Sequence, residues 1–244
     1  MPNRGLSVGV MIIGSLFWEE SSARRKWRER RLDLKEQALV RVPIRYGRKS
    51  ATRGDAYTMV LSMELATKEE QLGTGIVVAC KHRVTEPEGL VVEAEHLWAA
   101  EQNSEKPSGR ISGEWGCIGL LLSPASEEAD SFRNGWAERV RREPRYGNLS
   151  RGLGEGELVS ADGEIAIPWP VRRDGRAIEL DILLVTATNP SIAGGQYPSP
   201  GAIAGAWKTS GGRSHVSYFW NNRKHGIETF QDGEIEALLV SQEP

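Results

Sequence analysis

The chain has 244 residues, of which 39% are hydrophobic and 26% are charged, and its formal net charge at pH 7 is −2. These values are ordinary for a globular domain, and the small net charge gives no overall field that would attract nucleic acid or a membrane surface. The longest apolar runs fall far short of the roughly 20 residues that span a bilayer, so we expect a cytoplasmic protein with no membrane partner.

The first predicted element is a buried strand over residues 8–13, VGVMII, in which only Gly9 is not apolar. Gly14-Ser15-Leu16 then breaks the run. Backbone N–H groups left free at such a strand end often hold an anion or an oxyanion. Two interpretations stay open for Gly14: it belongs to a binding loop, or it is a turn glycine that needs a positive φ.

A basic segment follows between Ala23 and Arg53, with twelve Lys or Arg residues against three acids. Residues 22–37 are predicted to form a short exposed helix or a loop. Residues 39–46 alternate between apolar and basic side chains, which predicts a half-buried strand with Tyr46 on its buried face and Arg45 on its basic face.

The remaining elements alternate between short strands and short helices. We predict strands at 57–61, 75–80, 115–122, 165–169 and 178–186, and helices at 87–100, 132–142, 203–208, 215–225 and after Asp232. Thr85 is the expected N-cap of the 87–100 helix. Cys80 and Cys117 are expected to be buried free thiols, and the four histidines show no metal-ligand spacing. The pattern favours one α+β domain with a bent, barrel-like mixed sheet flanked by short helices.

Three sets of residues, in chain order, resemble motifs of the gamma-glutamylcyclotransferase-like superfamily. Residues 13–18, IGSLFW, resemble its YGSL(I/L)W strand-to-loop motif. A Gly-Ile-Val-Val strand start at 75–78 precedes a helix that ends in Leu97-Trp98-Ala99-Ala100-Glu101-Gln102, where the family has Leu-Asp-x-x-Glu-Gly with a catalytic glutamate. Near the C-terminus, Tyr197, Ile203, Gly205-Ala206, Gly211-Gly212 and Tyr218-Phe219 also follow the family order. The sequence departs from the motifs at Ile13, Trp98 and Gln102.

The resemblance implies a single domain over residues 1–244, with an enlarged C-terminal half, and a lyase or transferase activity on a small molecule. In the family's reaction, the α-amine of a γ-glutamyl group attacks its own γ-carbonyl, which releases 5-oxoproline and an amine. One carboxylate moves the proton, backbone N–H groups polarise the carbonyl or anchor the substrate carboxylate, and no cofactor or metal is needed.

The resulting site hypothesis has a catalytic part and a substrate-binding part. Glu101 is the expected catalytic residue, with Glu95 and Glu93 on the same helix as competitors for the role. The alternative for Glu101 is a solvated charge at a helix end. The expected substrate-binding residues are Gly14, Ser15, Leu16, Trp18, Arg45 and Tyr46.

A second hypothesis places the function in the basic segment instead. A non-catalytic protein would use residues 23–53 to bind an anion, a nucleotide or a nucleic acid. It predicts that the side chains of Arg41, Arg45, Arg48 and Arg53 converge within one cleft. The two hypotheses differ in whether a carboxylate shares a cavity with the Gly14–Leu16 loop.

Overall fold

A computed structural model describes residues 5–51, 54–144, 146, 158–191, 196–209 and 213–241. Within these ranges the strands are β1 (Val8–Ile12), β2 (Leu32–Val42), β3 (Ile44–Ser50), β4 (Ala56–Leu61), β5 (Gly73–Cys80), β6 (Gly116–Leu122), β7 (Val171–Arg172) and β8 (Ile182–Thr188). The helices are α1 (Ser22–Arg31), α2 (Pro87–Glu101), α3 (Asp130–Arg141), α4 (Pro200–Thr209), α5 (Arg213–Lys224) and α6 (Asp232–Val240).

Strand β1 lies inside a six-stranded sheet with the order β6-β8-β1-β5-β2-β7. It pairs antiparallel with β5, where Met11 lies opposite Val77, and parallel with β8, where Val10 lies opposite Leu184. All five residues of β1 are buried, as a continuous apolar run predicts for a strand covered on both faces. The predicted central strand and its shared sheet with residues 75–80 are both confirmed.

The predicted α+β class and mixed sheet are confirmed, and one hydrophobic core extends from Leu6 to Leu239. Among the described strands, β6 and β7 form the two edges of the sheet, which is therefore open rather than closed into a barrel. A separate two-stranded sheet, β3-β4, lies outside it. None of the described helices has the length and apolar character needed to cross a membrane.

The single strand predicted for residues 39–46 is wrong, because Pro43 divides it between two sheets. Strand β2 ends at Val42 and pairs with β5 and β7, whereas β3 begins at Ile44 and pairs with β4. Proline has no N–H to donate to a ladder, so it suits the point at which the chain changes partner. The predicted buried face is nevertheless correct, since Val40, Val42, Ile44 and Tyr46 are all buried.

Of residues 22–37, predicted to form a short exposed helix or a loop, Ser22–Arg31 form helix α1. The prediction is wrong for residues 32–37, which belong to strand β2. Helix α2 has Pro87 in its first turn, and its N-cap residue is Glu86 rather than the predicted Thr85. Proline suits this position because the N–H it lacks would have no partner in the helix.

Of the two predicted late strands, the one at 165–169 is wrong, and the one at 178–186 begins later in the structure. Residues 165–169 form an isolated bridge from Ile165 to Val159 instead of a strand, because Pro168 and Pro170 interrupt the backbone donors. Strand β8 begins at Ile182, after Asp181 has accepted hydrogen bonds from the N–H and hydroxyl of Ser7 at 2.8 and 2.6 Å. Cys117 is buried as predicted, and burial raises the pKa of its thiol to about 12, whereas Cys80 is half-buried.

Candidate functional site

A cavity of about 480 Å³ lies at the end of strand β1. Its volume is within the range of roughly 300–1,000 Å³ that is usual for small-molecule sites. Its lining is rich in polar side chains and includes Glu101 and the Gly14–Leu16 loop from the predicted site. The lining residues used below are Gly14, Ser15, Leu16, Glu19, Arg24, Arg48, Thr58, Glu101, Gln102, Trp115, Thr186, Thr188 and Tyr218.

Glu101 is the last residue of α2, and its half-buried side chain lines this cavity. Burial raises the pKa of the Glu101 carboxyl above its ordinary value. The charges of Arg24 and Arg48 and a hydrogen bond with Thr186 act in the opposite direction, because they stabilise the ionised form. A carboxyl group in this setting can exchange a proton nearer to neutral pH than an exposed glutamate can.

The loop of Gly14, Ser15 and Leu16 leaves β1 in a tight turn, in which the N–H of Phe17 donates to the carbonyl of Gly14 at 3.2 Å. Within the described residues, the N–H groups of Gly14 and Leu16 have no hydrogen-bond acceptor. The turn therefore has two backbone donors without an acceptor in residues that line the cavity, and such donors are typical of a site for an anion or an oxyanion.

Gly14 is required for a reason other than a left-handed backbone. Its φ lies outside the positive range, so the interpretation that this turn glycine needs a positive φ is wrong. A Cβ atom built on Gly14 would instead lie 2.9 Å from the hydroxyl oxygen of Tyr218, which lines the same cavity. Glycine therefore permits the close approach of this tyrosine from α5.

Arg24 of α1 ties the loop to the end of α2. Its guanidinium donates to the Ser15 hydroxyl at 3.1 Å and to the Glu19 carboxylate. On the other side it donates to the carbonyl oxygens of Ala100 at 3.2 Å and Glu101 at 3.5 Å. These contacts fix the position of Glu101 relative to the loop. The local sequence does not distinguish Arg24 from its basic neighbours, so it does not predict this role.

A second guanidinium, that of Arg48 on β3, lines the cavity in a different way. It lies 4.6 Å from the ring centroid of Trp115, as in a cation–π contact. It makes no hydrogen bond or ion pair with any residue that the structure describes. Burial lowers the pKa of Arg48, and the charge of Glu101 partly offsets that effect.

A β-bulge at Gly47 directs Arg48 into the cavity. Tyr46 pairs with Met59, and Arg48 pairs with the next residue, Thr58, so Gly47 is the additional residue of the bulge. Tyr46 and Arg48 therefore leave the strand on opposite faces. Tyr46 is fully buried against Trp207, at 5.1 Å between ring centroids, so its predicted role in substrate binding is not supported by its position.

Two further predicted residues lie away from the cavity. Glu95 precedes Glu101 by six residues, which on a helix of 3.6 residues per turn puts it on another face, where it pairs with Arg139 at 3.5 Å. Arg45 pairs with Glu64 at 3.0 Å, and its guanidinium lies 3.9 Å from the Tyr197 ring centroid. Both side chains are therefore engaged in structural contacts.

Trp18 and Glu93 also have structural partners. The indole N–H of Trp18 donates to the side-chain oxygen of Asn222 at 2.7 Å, and its ring lies 6.1 Å from that of Tyr218. Trp18 therefore packs against Tyr218, which lines the cavity, without lining it itself. Glu93 is buried and forms an ion pair with Arg31.

The predicted convergence of four arginines does not occur among those that the structure describes. Arg41 pairs with Glu69 and borders a separate cavity of about 270 Å³, Arg45 pairs with Glu64, and Arg48 lines the large cavity. Arg53 lies outside the described residues, as do Gly211 and Gly212 of the family pattern.

No protein-family model matches the sequence, and comparisons with curated proteins and with solved structures found no significant match. The class of protein is therefore defined by the fold and the cavity alone. It is an α+β protein with a polar cavity of small-molecule size, whose walls include the strand-end loop, two guanidinium groups and the carboxylates of Glu19 and Glu101.

Proposed function

We propose that the chain is a gamma-glutamylcyclotransferase-like enzyme, which releases 5-oxoproline from a γ-glutamyl amine. The observation that carries this proposal is that Glu101 and the Gly14–Leu16 loop line one cavity. They come from distant parts of the sequence, and they are the two motif positions for which the resemblance implies chemistry.

Glu101 would carry protons between the two nitrogen atoms of the substrate. It accepts a proton from the α-ammonium group, whose nitrogen then attacks the γ-carbonyl carbon and forms the new C–N bond. The bond to the leaving nitrogen breaks as Glu101 returns the proton to it. The α-nitrogen loses two protons and the leaving amine gains two, so the reaction needs no water. A raised pKa suits a group that must both accept and donate.

The rest of the cavity would fold the substrate and polarise its carbonyl. The N–H groups of Gly14 and Leu16 are donors for the γ-carbonyl oxygen, whose negative charge grows as the ring closes. Arg24 holds these donors and Glu101 in a fixed relation. Because the attack is intramolecular, this control of geometry supplies much of the rate enhancement.

The three departures from the motifs leave this machinery in place. Ile13 and Gln102 line the cavity, and neither replaces the carboxylate. Trp98 is buried and stacks on Trp115 with ring centroids 4.9 Å apart, so it belongs to the wall that supports Arg48.

The test is release of 5-oxoproline, measured by mass spectrometry, from a panel of γ-glutamyl amino acids and γ-glutamyl alkylamides. We expect Glu101→Gln to lower the rate by about 10²–10⁴, which is typical for the loss of general acid–base catalysis. Glu95→Gln is the matched control, because it removes a carboxylate of the same helix outside the cavity. If folded wild-type protein releases no 5-oxoproline from the whole panel, the enzymatic proposal is wrong.

A second candidate function is non-catalytic binding of a small anion in the same cavity. The observation that favours it is the cavity-lining guanidinium of Arg48, which has no ionic partner among the described residues. Nucleic acid is a weaker candidate, because six cations of the basic segment already pair with acidic side chains: Arg24, Lys26, Arg28, Arg31, Arg41 and Arg45. Binding of a γ-glutamyl compound without turnover would favour this second function.

A further inference from the structure

The two guanidinium groups of the cavity differ in how much of their bonding capacity is used. Arg24 donates to two side chains and two backbone carbonyls, and it serves as a structural bridge. Among the described residues, the guanidinium of Arg48 contacts the ring of Trp115 and interacts electrostatically at longer range with Glu101 and Tyr218, but it forms no ion pair. It is the cation in this cavity that remains available to a ligand.

The position of Arg48 is held by its surroundings rather than by a salt bridge. The bulge at Gly47 aims it, and a Cβ atom at Gly47 would lie 2.7 Å from the Tyr197 ring and 2.8 Å from Val60, so the bulge needs glycine. The Trp115 ring under the guanidinium is itself stacked on Trp98. A guanidinium that lies over an aromatic ring and has no ion pair retains N–H donors for a bidentate contact with a carboxylate.

Glu101 and Arg48 interact through their charges without forming an ion pair. Both line the cavity, so a ligand group can lie between them. An α-amino acid head is complementary to this pair of charges, because its ammonium can face the carboxylate of Glu101 while its own carboxylate, two bonds away, faces the guanidinium of Arg48. Each charge removed from water by binding then meets an opposite charge.

We propose that Arg48 binds the α-carboxylate of the γ-glutamyl group, and that the cavity thereby selects ligands with a free α-amino acid head. This inference rests on the proposed function for the identity of the ligand. It concerns how the cavity recognises that ligand, so it is tested by measuring binding rather than catalysis. Arg48 is a specificity-determining residue in this proposal, and Glu101 remains the proton carrier.

The experiment measures binding by calorimetry with γ-glutamylethylamide and with its analogue whose α-carboxyl is a carboxamide. Arg48→Gln should weaken binding of γ-glutamylethylamide roughly 10- to 100-fold, the usual range for a lost charge-assisted contact. It should leave the weak binding of the carboxamide analogue unchanged. Arg48→Lys should give intermediate affinity, because it keeps the charge and loses the planar fork. Lys49→Gln, the exposed neighbour on the same strand, is the control and should bind as the wild type does.

Thermal unfolding confirms that each variant is folded before binding is compared. The proposal is overturned if wild type shows no binding of γ-glutamylethylamide at millimolar concentration, or if Arg48→Gln weakens both ligands equally. A third ligand, γ-glutamylglycine, adds a carboxylate on the leaving amine. If Arg48→Gln weakens only this ligand, Arg48 recognises the leaving group and the assignment to the α-carboxylate is wrong. Binding that depends on Arg48 without release of 5-oxoproline would support the inference and reject the enzymatic proposal.

Discussion

Replacement of Glu101 by Gln should stabilise the folded protein at neutral pH, even though it removes the proposed catalytic group. Burial raises the pKa of Glu101, so the folded chain binds this proton more tightly than the unfolded chain does. Ionisation as pH rises therefore favours unfolding, by about 1.4 kcal/mol for each unit by which the folded pKa exceeds the unfolded one. Gln has nearly the same shape and no charge, and the hydroxyl of Thr186 can still donate to it.

The sign of the effect defines the pH window. Below the pKa of an unfolded glutamate, about 4.3, both states are protonated and the variant gains nothing. The gain grows as pH rises from the unfolded pKa to the folded pKa and is complete above the folded pKa. For a chain of this size, each kcal/mol corresponds to about 2–4 °C in Tm.

Urea unfolding at pH 4.5, 6 and 8, followed by tryptophan fluorescence, measures this difference. Glu95→Gln is the control, since it only breaks the outlying pair with Arg139 and should lower stability by less than about 1 kcal/mol at pH 8. Equal or lower stability of Glu101→Gln at pH 8 would refute the reasoning, because it would mean that the cations in the cavity outweigh the cost of burying the carboxylate.

Three further predictions concern the surroundings of the cavity. Gly14→Ala should reduce ligand affinity and 5-oxoproline release, because the new Cβ displaces the Tyr218 hydroxyl; calorimetry and mass spectrometry measure the two effects. Arg24→Gln should cost about 2–4 kcal/mol in urea unfolding, since it breaks the ion pair with Glu19 and removes the charged donor that bridges the loop to two helix-end carbonyls. Burial raises the pKa of Asp232 to about 6, so wild-type stability should fall as pH rises from 4 to 6, and Asp232→Asn should lack that fall in urea titrations across this range.

The central part of the fold was predictable from local patterns. The apolar runs at residues 8–13 and 75–80 have the composition of buried strands, and they form neighbouring strands of one sheet. The error at Pro43 has a different origin. The alternation of apolar and polar residues shows which face of a strand is buried. This alternation continues unchanged from β2 into β3, although the two strands belong to different sheets. Only the proline, which lacks an N–H, indicates the break.

The candidate site was predictable in part. The Gly14–Leu16 loop and Glu101 were found through the resemblance, and both line the cavity. The sequence does not distinguish Arg48 from the other cations of the basic segment, because Arg48 differs from them in having no ionic partner among the described residues. That property depends on long-range pairing, such as Arg45 with Glu64, which local sequence does not specify.

Several features of this cavity reduce stability, and their coincidence at one place supports a binding function. Glu101 is half-buried and lies at the C-terminus of α2, where the helix dipole opposes a negative charge. Arg48 is partly desolvated without an ion pair to any described residue, and two N–H groups of the adjoining loop lack acceptors within the described chain. Each feature alone has a structural explanation. For example, Arg24 donates to two carbonyl oxygens at the C-terminus of α2 and so offsets the negative end of the helix dipole. Together they form a set of complementary charges and donors around one cavity, and a zwitterionic ligand would satisfy all of them at once.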